Sequence, residues 1–244
     1  MILELAGVSR DFGGLRAVHD VAFALAPGEV VGLIGPNGAG KTTVVNLVTG
    51  VHRVSAGRIV FDGRRIDGLR SHRIARLGVA RTFQVVQPFP EMTVLDNVAA
   101  GALFAGHAEG VTDARRRARE QLDFVGLGSR AETPAATLTL AGRKRLELAK
   151  SLAMQPRLLL LDEVNAGLNP TEIGEALRLI RALAARGLTI LIIEHLMKVV
   201  IDLCSRVIVL HHGEMIADGP PAAVVQDPAV VEAYLGSRFA RGAP

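Results

Sequence analysis

Tryptophan is absent, tyrosine occurs once, and eight phenylalanines are scattered over 244 residues. Single-stranded nucleic acid binds on rows of aromatic rings, so this scarcity argues against a base-stacking platform. Cysteine also occurs once, at Cys204. That excludes an intramolecular disulfide framework and any multi-cysteine zinc site, and points to a cytosolic setting. The mean hydropathy is +0.32, yet no uncharged apolar run approaches the ~20 residues of a spanning helix. No basic and apolar leader follows Met1, so nothing reads as an export signal. Charged residues make up only 21% and leave a net charge of +4. A basic balance gives only the sign of the partners, here nucleic acid, a membrane surface or a phosphate ligand.

Apolar residues, at 49%, are abundant enough for a substantial core, and the length suits one large domain or one domain with an insertion. The first 60 residues read as short strands between Gly and Pro turns, with Val21, Phe23 and Leu25 alternating and Pro27-Gly28 turning. Residues 30–34 form a continuous apolar run, the pattern of a strand covered on both faces. A Gly-rich loop follows, then a helical pattern over 41–49 closed by Gly50. Strands are expected at 58–61 and 78–83. From Glu91 to Met154 the period changes to helix after helix: one capped by Thr93 with Asp96 three residues on, one over 113–124, and one over 142–154. Strands return at 158–161, 189–193 and 207–210, alternating with helices near 171–186 and 196–203, and two short helices are expected after Pro220. Such alternation predicts crossover units and a mostly parallel sheet. The fold expected is an α/β core interrupted by a helical insertion of roughly sixty residues, its extent set by the switch in period.

The loop Gly35, Pro36, Asn37, Gly38, Ala39, Gly40, Lys41, Thr42 fits GxxxxGK[ST], and it lies between a predicted strand and a predicted helix. Backbone amides freed by the glycines point into one concavity at a helix N-terminus. Lys41 then reaches the β- and γ-phosphates, and Thr42 offers its hydroxyl to Mg²⁺. The strand at 158–161 ends in Asp162 and Glu163, suited to holding the Mg²⁺ shell and polarising a water respectively. The pair taken alone also suits a helix cap. Both motifs fall at the carboxyl ends of strands, where parallel sheets bind ligands. His195 follows the strand 189–193 and is a candidate for the γ-phosphate, although a lone histidine is commonly structural. Gln84 ends the strand 78–83 and is a candidate for the Mg²⁺ or the water.

In this order the elements resemble the nucleotide-binding subunit of an ABC transporter, over essentially the whole chain. The matches are a Walker A loop from Gly35 to Thr42, Gln84 opening a helical insertion, a Walker B strand with Asp162-Glu163, and a switch histidine at His195. The resemblance implies a P-loop NTPase core of the ABC ATPase type, with residues 1–86 and 156–244 as the α/β core and 87–155 as a helical subdomain. It implies ATP and Mg²⁺ as ligands, adenine stacked on Phe12, and Thr43 beside Thr42 in the phosphate site. Segments such as Phe12-Gly13-Gly14-Leu15, Ala80-Arg81-Thr82-Phe83-Gln84 and Glu232-Ala233-Tyr234-Leu235-Gly236 look like the branched-chain amino acid importer ATPases, to which the urea importers and lipopolysaccharide exporters are closely similar. The family pairs two ATPase subunits head to tail, and the signature of one faces the ATP of the other. That signature corresponds to Leu138, Thr139, Leu140, Ala141 and Gly142, a departure from LSGGQ in which Leu140 is bulky where glycine is usual. Asn169 stands where the family usually has Asp, and Val164 where Pro is common. The resemblance further implies a like or unlike second ATPase subunit, membrane-spanning permease subunits contacted through residues 85–93, indirectly a substrate-binding protein, and a peripheral position on the cytoplasmic face of the inner membrane.

Two rivals remain from the residues themselves. Arg115-Arg116-Arg117-Ala118-Arg119 suits either a phosphate backbone, as in ABC ATPases of ribosomes or DNA, or a solvated helix face. Leu140 and Ala141 leave room for a module that holds ATP without hydrolysing it. The histidines His19, His52, His72, His107, His211 and His212 lack metal-ligand spacing, and Cys204 is expected to pack within an apolar helix.

Overall fold

The computed structural model describes residues 1–83, 86–106, 108–194 and 196–235. Strands β1 (Leu3–Phe12) and β2 (Leu15–Leu25) form an antiparallel hairpin turned at Gly13 and Gly14. Then come β3 (Val30–Ile34), α1 (Lys41–Val48), and the hairpin of β4 (Ala56–Phe61) and β5 (Arg64–Arg65). After α2 (Ser71–Arg76) and β6 (Val79–Arg81) the chain runs through α3 (Val94–Ala105), α4 (Val111–Phe124) and α5 (Leu140–Ala153). Next are β7 (Leu158–Asp162), α6 (Pro170–Ala185), β8 (Thr189–Ile193), α7 (Met197–Leu203), β9 (Arg206–His211), β10 (Glu214–Gly219), α8 (Pro221–Val224) and α9 (Pro228–Leu235). The chain divides into two compact units, Met1–Ser71 with everything from Thr189 onward, and His72–Leu188.

In the first unit, β2, β1, β4 and β5 form an antiparallel sheet in that order. A second layer places β3 between β8 and β9, parallel to both, with β10 antiparallel on β9. All five residues of β3 and all five of β8 are buried, as befits parallel strands covered on both faces. Burying each such Val, Leu or Ile contributes roughly 1.5–3 kcal/mol, so these strands anchor whatever their ends carry. The short N-terminal strands read from sequence are corrected to two of 10 and 11 residues. The register of β1 slips between Leu5 and Val8, around Gly7 at φ 61°, and this bulge breaks the alternation that would have marked one long strand. β10 and the two-residue β5 carry no strong apolar run and were not expected at all. Cys204 is buried as expected, but it stands just past the end of α7 rather than within it, and burial pushes its thiol up to about 12.

In the second unit, β6 and β7 pair in parallel, Arg81 lying opposite Leu160. Helices α3, α4 and α5 pack on one another around Val98, Ala102, Ala118, Leu122, Leu146 and Ala149, all buried. Gly101 permits the closest approach, since a Cβ there would sit 2.7 Å from the Lys150 carbonyl of α5. Thr93 caps α3 as its spacing predicts, accepting from the Asp96 amide at 3.0 Å. Among the described residues no helix is long and apolar enough to cross a membrane.

Candidate nucleotide site

The phosphate loop links β3 to α1 in the first unit. Gly35, Gly38 and Gly40 take φ of 149°, 80° and 101°. Gly40 is obligatory by two criteria, its left-handed backbone and the Ala17 carbonyl 2.7 Å from where a Cβ would stand. At Gly38 a Cβ would meet nothing within 4 Å, so the left-handed backbone alone asks for glycine there. Lys41 is buried, and its Nζ donates to the carbonyls of Gly35 at 2.7 Å and Pro36 at 3.0 Å. The ammonium is thus folded over the loop at rest, held by acceptors that anionic oxygens outcompete. Thr42 is exposed and Thr43 half-buried in the first turn of α1, while Asn37 is exposed and Pro36 and Ala39 complete the loop. The β9–β10 turn braces it: the Gly213 amide donates to the Ala39 carbonyl at 3.1 Å, and the Gly213 carbonyl accepts from the His19 amide at 2.8 Å. Phe12 is exposed at the tip of β1, with the Arg10 guanidinium 4.4 Å above its ring and His52 edge-on at 5.1 Å.

In the second unit β7 delivers the two carboxylates. Asp162 is only 3% exposed, and its Oδ2 accepts from Arg81 Nη2 at 2.5 Å. Glu163, the next residue, adopts φ 47°, a left-handed backbone that costs a non-glycine residue roughly 1–2 kcal/mol. Its carbonyl accepts from Lys144 Nζ at 3.2 Å and from the Ala166 amide at 3.2 Å, so the strained turn is tied down from both sides.

The segment matching the signature opens α5. Thr139 is its N-cap, accepting from the Gly142 amide at 3.2 Å, so α5 starts at Leu140 and takes Ala141 and Gly142 into its first turn. Leu140 is about half exposed and leans over Gly167, where a Cβ would lie 3.0 Å from Leu140 Cδ2. Asn169 caps α6 in a reciprocal capping box with Glu172. An Asn is therefore as good a helix start here as the Asp usual at this place. Gln84 and His195 lie outside the described residues.

Three neighbours of these groups escaped the sequence reading. Arg81 and Lys144 reach the Asp162-Glu163 turn from 81 and 19 residues away, and no local pattern marks such a pairing. The third is Tyr234 on α9. Burial raises its phenol above the usual tyrosine value, opposed by a hydrogen bond from the Gly35 backbone of the phosphate loop. Because this is the sole tyrosine and tryptophan is absent, protein emission on excitation near 280 nm comes from Tyr234 and reports its surroundings. Titration with inorganic tripolyphosphate, which does not absorb there, is expected to change this emission saturably in the wild type and not in Tyr234→Phe.

Residues 18–166 match the ABC transporter family. The chain belongs to that family. Residues 214–240 match a second family, the branched-chain amino acid ATP-binding cassette transporter family. The chain is 41% identical to BraF, the high-affinity branched-chain amino acid transport ATP-binding protein of Pseudomonas aeruginosa, over 96% of this chain and 98% of that one. LivG of Escherichia coli, of the same description, is also 41% identical with the same coverage. The lipopolysaccharide export ATP-binding protein LptB of Acidithiobacillus ferridurans is 36% identical over 98% of each chain. Among solved structures, the nucleotide-free ATP-binding cassette of an ABC transporter superposes with TM-score 0.88 at 30% identity, covering 97% of this chain and 99% of that one. The ADP conformation of MJ1267, an ATP-binding cassette of an ABC transporter, gives 0.87 at 30% identity over the same shares. The α/β fold with its antiparallel N-terminal sheet is thus that of an ABC ATPase.

The arginine run on α4 finds its charges at home. Arg116 and Arg117 bind Asp113, Arg116 also binds Glu120, Arg115 binds Asp96 and Glu132, and Arg119 binds Glu132. The Arg116 and Arg117 guanidinia, Arg116 foremost, hold the Asp113 carboxyl below the usual carboxylate range. These pairs favour the solvated-face reading over a nucleic-acid interface.

Proposed function

We propose that this chain is the ATP-hydrolysing subunit of an importer that takes up branched-chain or other hydrophobic amino acids through a membrane permease, bound peripherally on the cytoplasmic face. The observation that carries the substrate class is the match of residues 214–240, the segment bearing Tyr234, to the branched-chain family.

Lys41 and the backbone amides of residues 37–42 bind the β- and γ-phosphates, and Phe12 offers its exposed ring to adenine. Thr42, Gln84 and Asp162 each carry an oxygen donor of the hard kind that Mg²⁺ prefers, and they would hold the ion when it is bound. When bound, Mg²⁺ spreads the charge developing on the transferred phosphoryl group. Glu163 orients and deprotonates the attacking water, its backbone strained into place at the end of β7, and His195 steadies the γ-phosphate. Thr139, Ala141 and Gly142 face the nucleotide of a second ATPase subunit, which closes on this one when ATP is bound. A ligand that completes its contacts only in the pair stabilises the pair.

Residues 85–93 receive a cytoplasmic helix of the permease. Phe89 is exposed, and its backbone is pinned by the fully buried Asn97, whose side chain accepts from the Phe89 amide at 2.9 Å and donates to its carbonyl at 3.0 Å. A rigid loop presenting an apolar ring is a suitable anchor for such a helix. Deleting the gene is expected to abolish ATP-dependent uptake of labelled leucine, isoleucine and valine while sparing urea uptake and lipopolysaccharide export. A cysteine introduced at position 89 is expected to cross-link to a permease loop. Loss of urea uptake or of lipopolysaccharide export instead would reassign the substrate class.

A further inference from the structure

The Walker B carboxylate is not bare. Asp162 Oδ2 lies 2.5 Å from Arg81 Nη2, with the Arg81 side chain 9% and the Asp162 side chain 3% exposed. Arg81 arrives from the neighbouring strand, where its backbone is in register with Leu160 and its carbonyl accepts from Ser151 Oγ at 3.2 Å. Its guanidinium also lies 5.0 Å from the centre of the Phe83 ring. The Asp162 amide is held in turn by Thr82 Oγ1 at 3.3 Å. The cation is therefore placed by the sheet, not by a flexible surface arm.

A buried carboxylate needs a compensating charge, and here the compensation is built in. A divalent cation docking on the same carboxylate meets a fixed positive charge a few ångströms away, in surroundings where screening is weak. A triphosphate brings enough negative charge to reverse that balance.

We propose that Arg81 is a positioning residue that holds Asp162 closed to divalent cations until the triphosphate arrives, so that metal enters with the nucleotide and not before it. This rests on the role given to Asp162 above. A merely structural ion pair would change stability when broken and leave cation affinity alone.

The test uses the purified full-length chain without nucleotide, with Mn²⁺ as the probe, followed by the paramagnetic resonance of the free ion. Arg81→Gln is expected to bind Mn²⁺ at least about tenfold more tightly than the wild type, corresponding to about 1.4 kcal/mol. Adding Asp162→Asn to Arg81→Gln returns the affinity to the wild-type level or below. Arg81→Lys, which keeps the charge but loses the planar fork, gains less. A folded Arg81→Gln with unchanged Mn²⁺ affinity overturns the proposal. If that variant does not fold, unchanged affinity in Arg81→Met, which also removes the charge, does so. A parallel arm adds a non-hydrolysable ATP analogue to the wild type and to Asp162→Asn. Unchanged nucleotide-dependent Mn²⁺ binding in Asp162→Asn would overturn the placement of the metal on Asp162, whereas its loss beside an inert Arg81 substitution would refute the role of Arg81 alone.

Discussion

Glu163→Gln is expected to bind ATP as the wild type does and to hydrolyse it roughly 100- to 10,000-fold more slowly, the range over which a positioned general base acts. Glutamine keeps the shape of the side chain and leaves its backbone bonds to Lys144 and Ala166 untouched. It removes the carboxylate charge and with it the ability to take a proton. The phosphate contacts come from the loop of residues 35–42 and Lys41, which the substitution leaves in place, so affinity is expected to survive. Steady-state ATPase assays on the assembled transporter, together with nucleotide binding measured by equilibrium dialysis, separate the two quantities. A variant that turned over at the normal rate would remove Glu163 from the chemistry and would favour a base elsewhere. Wild-type turnover, in turn, decides against a module that only holds ATP.

Lys41→Ala is expected to fail one step earlier, at binding. The resting ammonium donates to the neutral carbonyls of Gly35 and Pro36, and phosphate oxygens replace them with charge-assisted bonds worth roughly 1.5–3 kcal/mol each. Losing one such bond corresponds to about 10- to 100-fold in affinity. Alanine also leaves the Gly35 and Pro36 carbonyls without this donor, so the loop is expected to be less well ordered before any ligand arrives. Equal ATP affinity in wild type and variant would mean that Lys41 does not touch phosphate.

Patterns that depend on neighbours in sequence were legible. The apolar run at 30–34 is a strand buried on both faces, and Thr93 with Asp96 is a cap. The loop from Gly35 to Thr42 is recognisable because its chemistry is compressed into eight consecutive residues. What escaped depends on neighbours in space or on broken periodicity. β1 hid behind the bulge at Gly7, and β10 behind a polar sequence paired with β9. The grip of Arg81 on Asp162 spans 81 residues and two strands, and a sequence offers no term for it. The tie between Tyr234 and Gly35 joins the last helix to the first functional loop. Of the signature departures, Asn169 turned out to perform a familiar task, whereas Leu140 found a new contact over Gly167.

The left-handed backbone of Glu163 has an evolutionary corollary. Asparagine or glycine at that position would relax the turn and raise the stability of the free protein. A lineage that had given up turning over its nucleotide would gain from either replacement and lose nothing. A glutamate held against that local penalty fits a place where a proton acceptor is in demand, so the strain is in keeping with a working engine rather than a retired one.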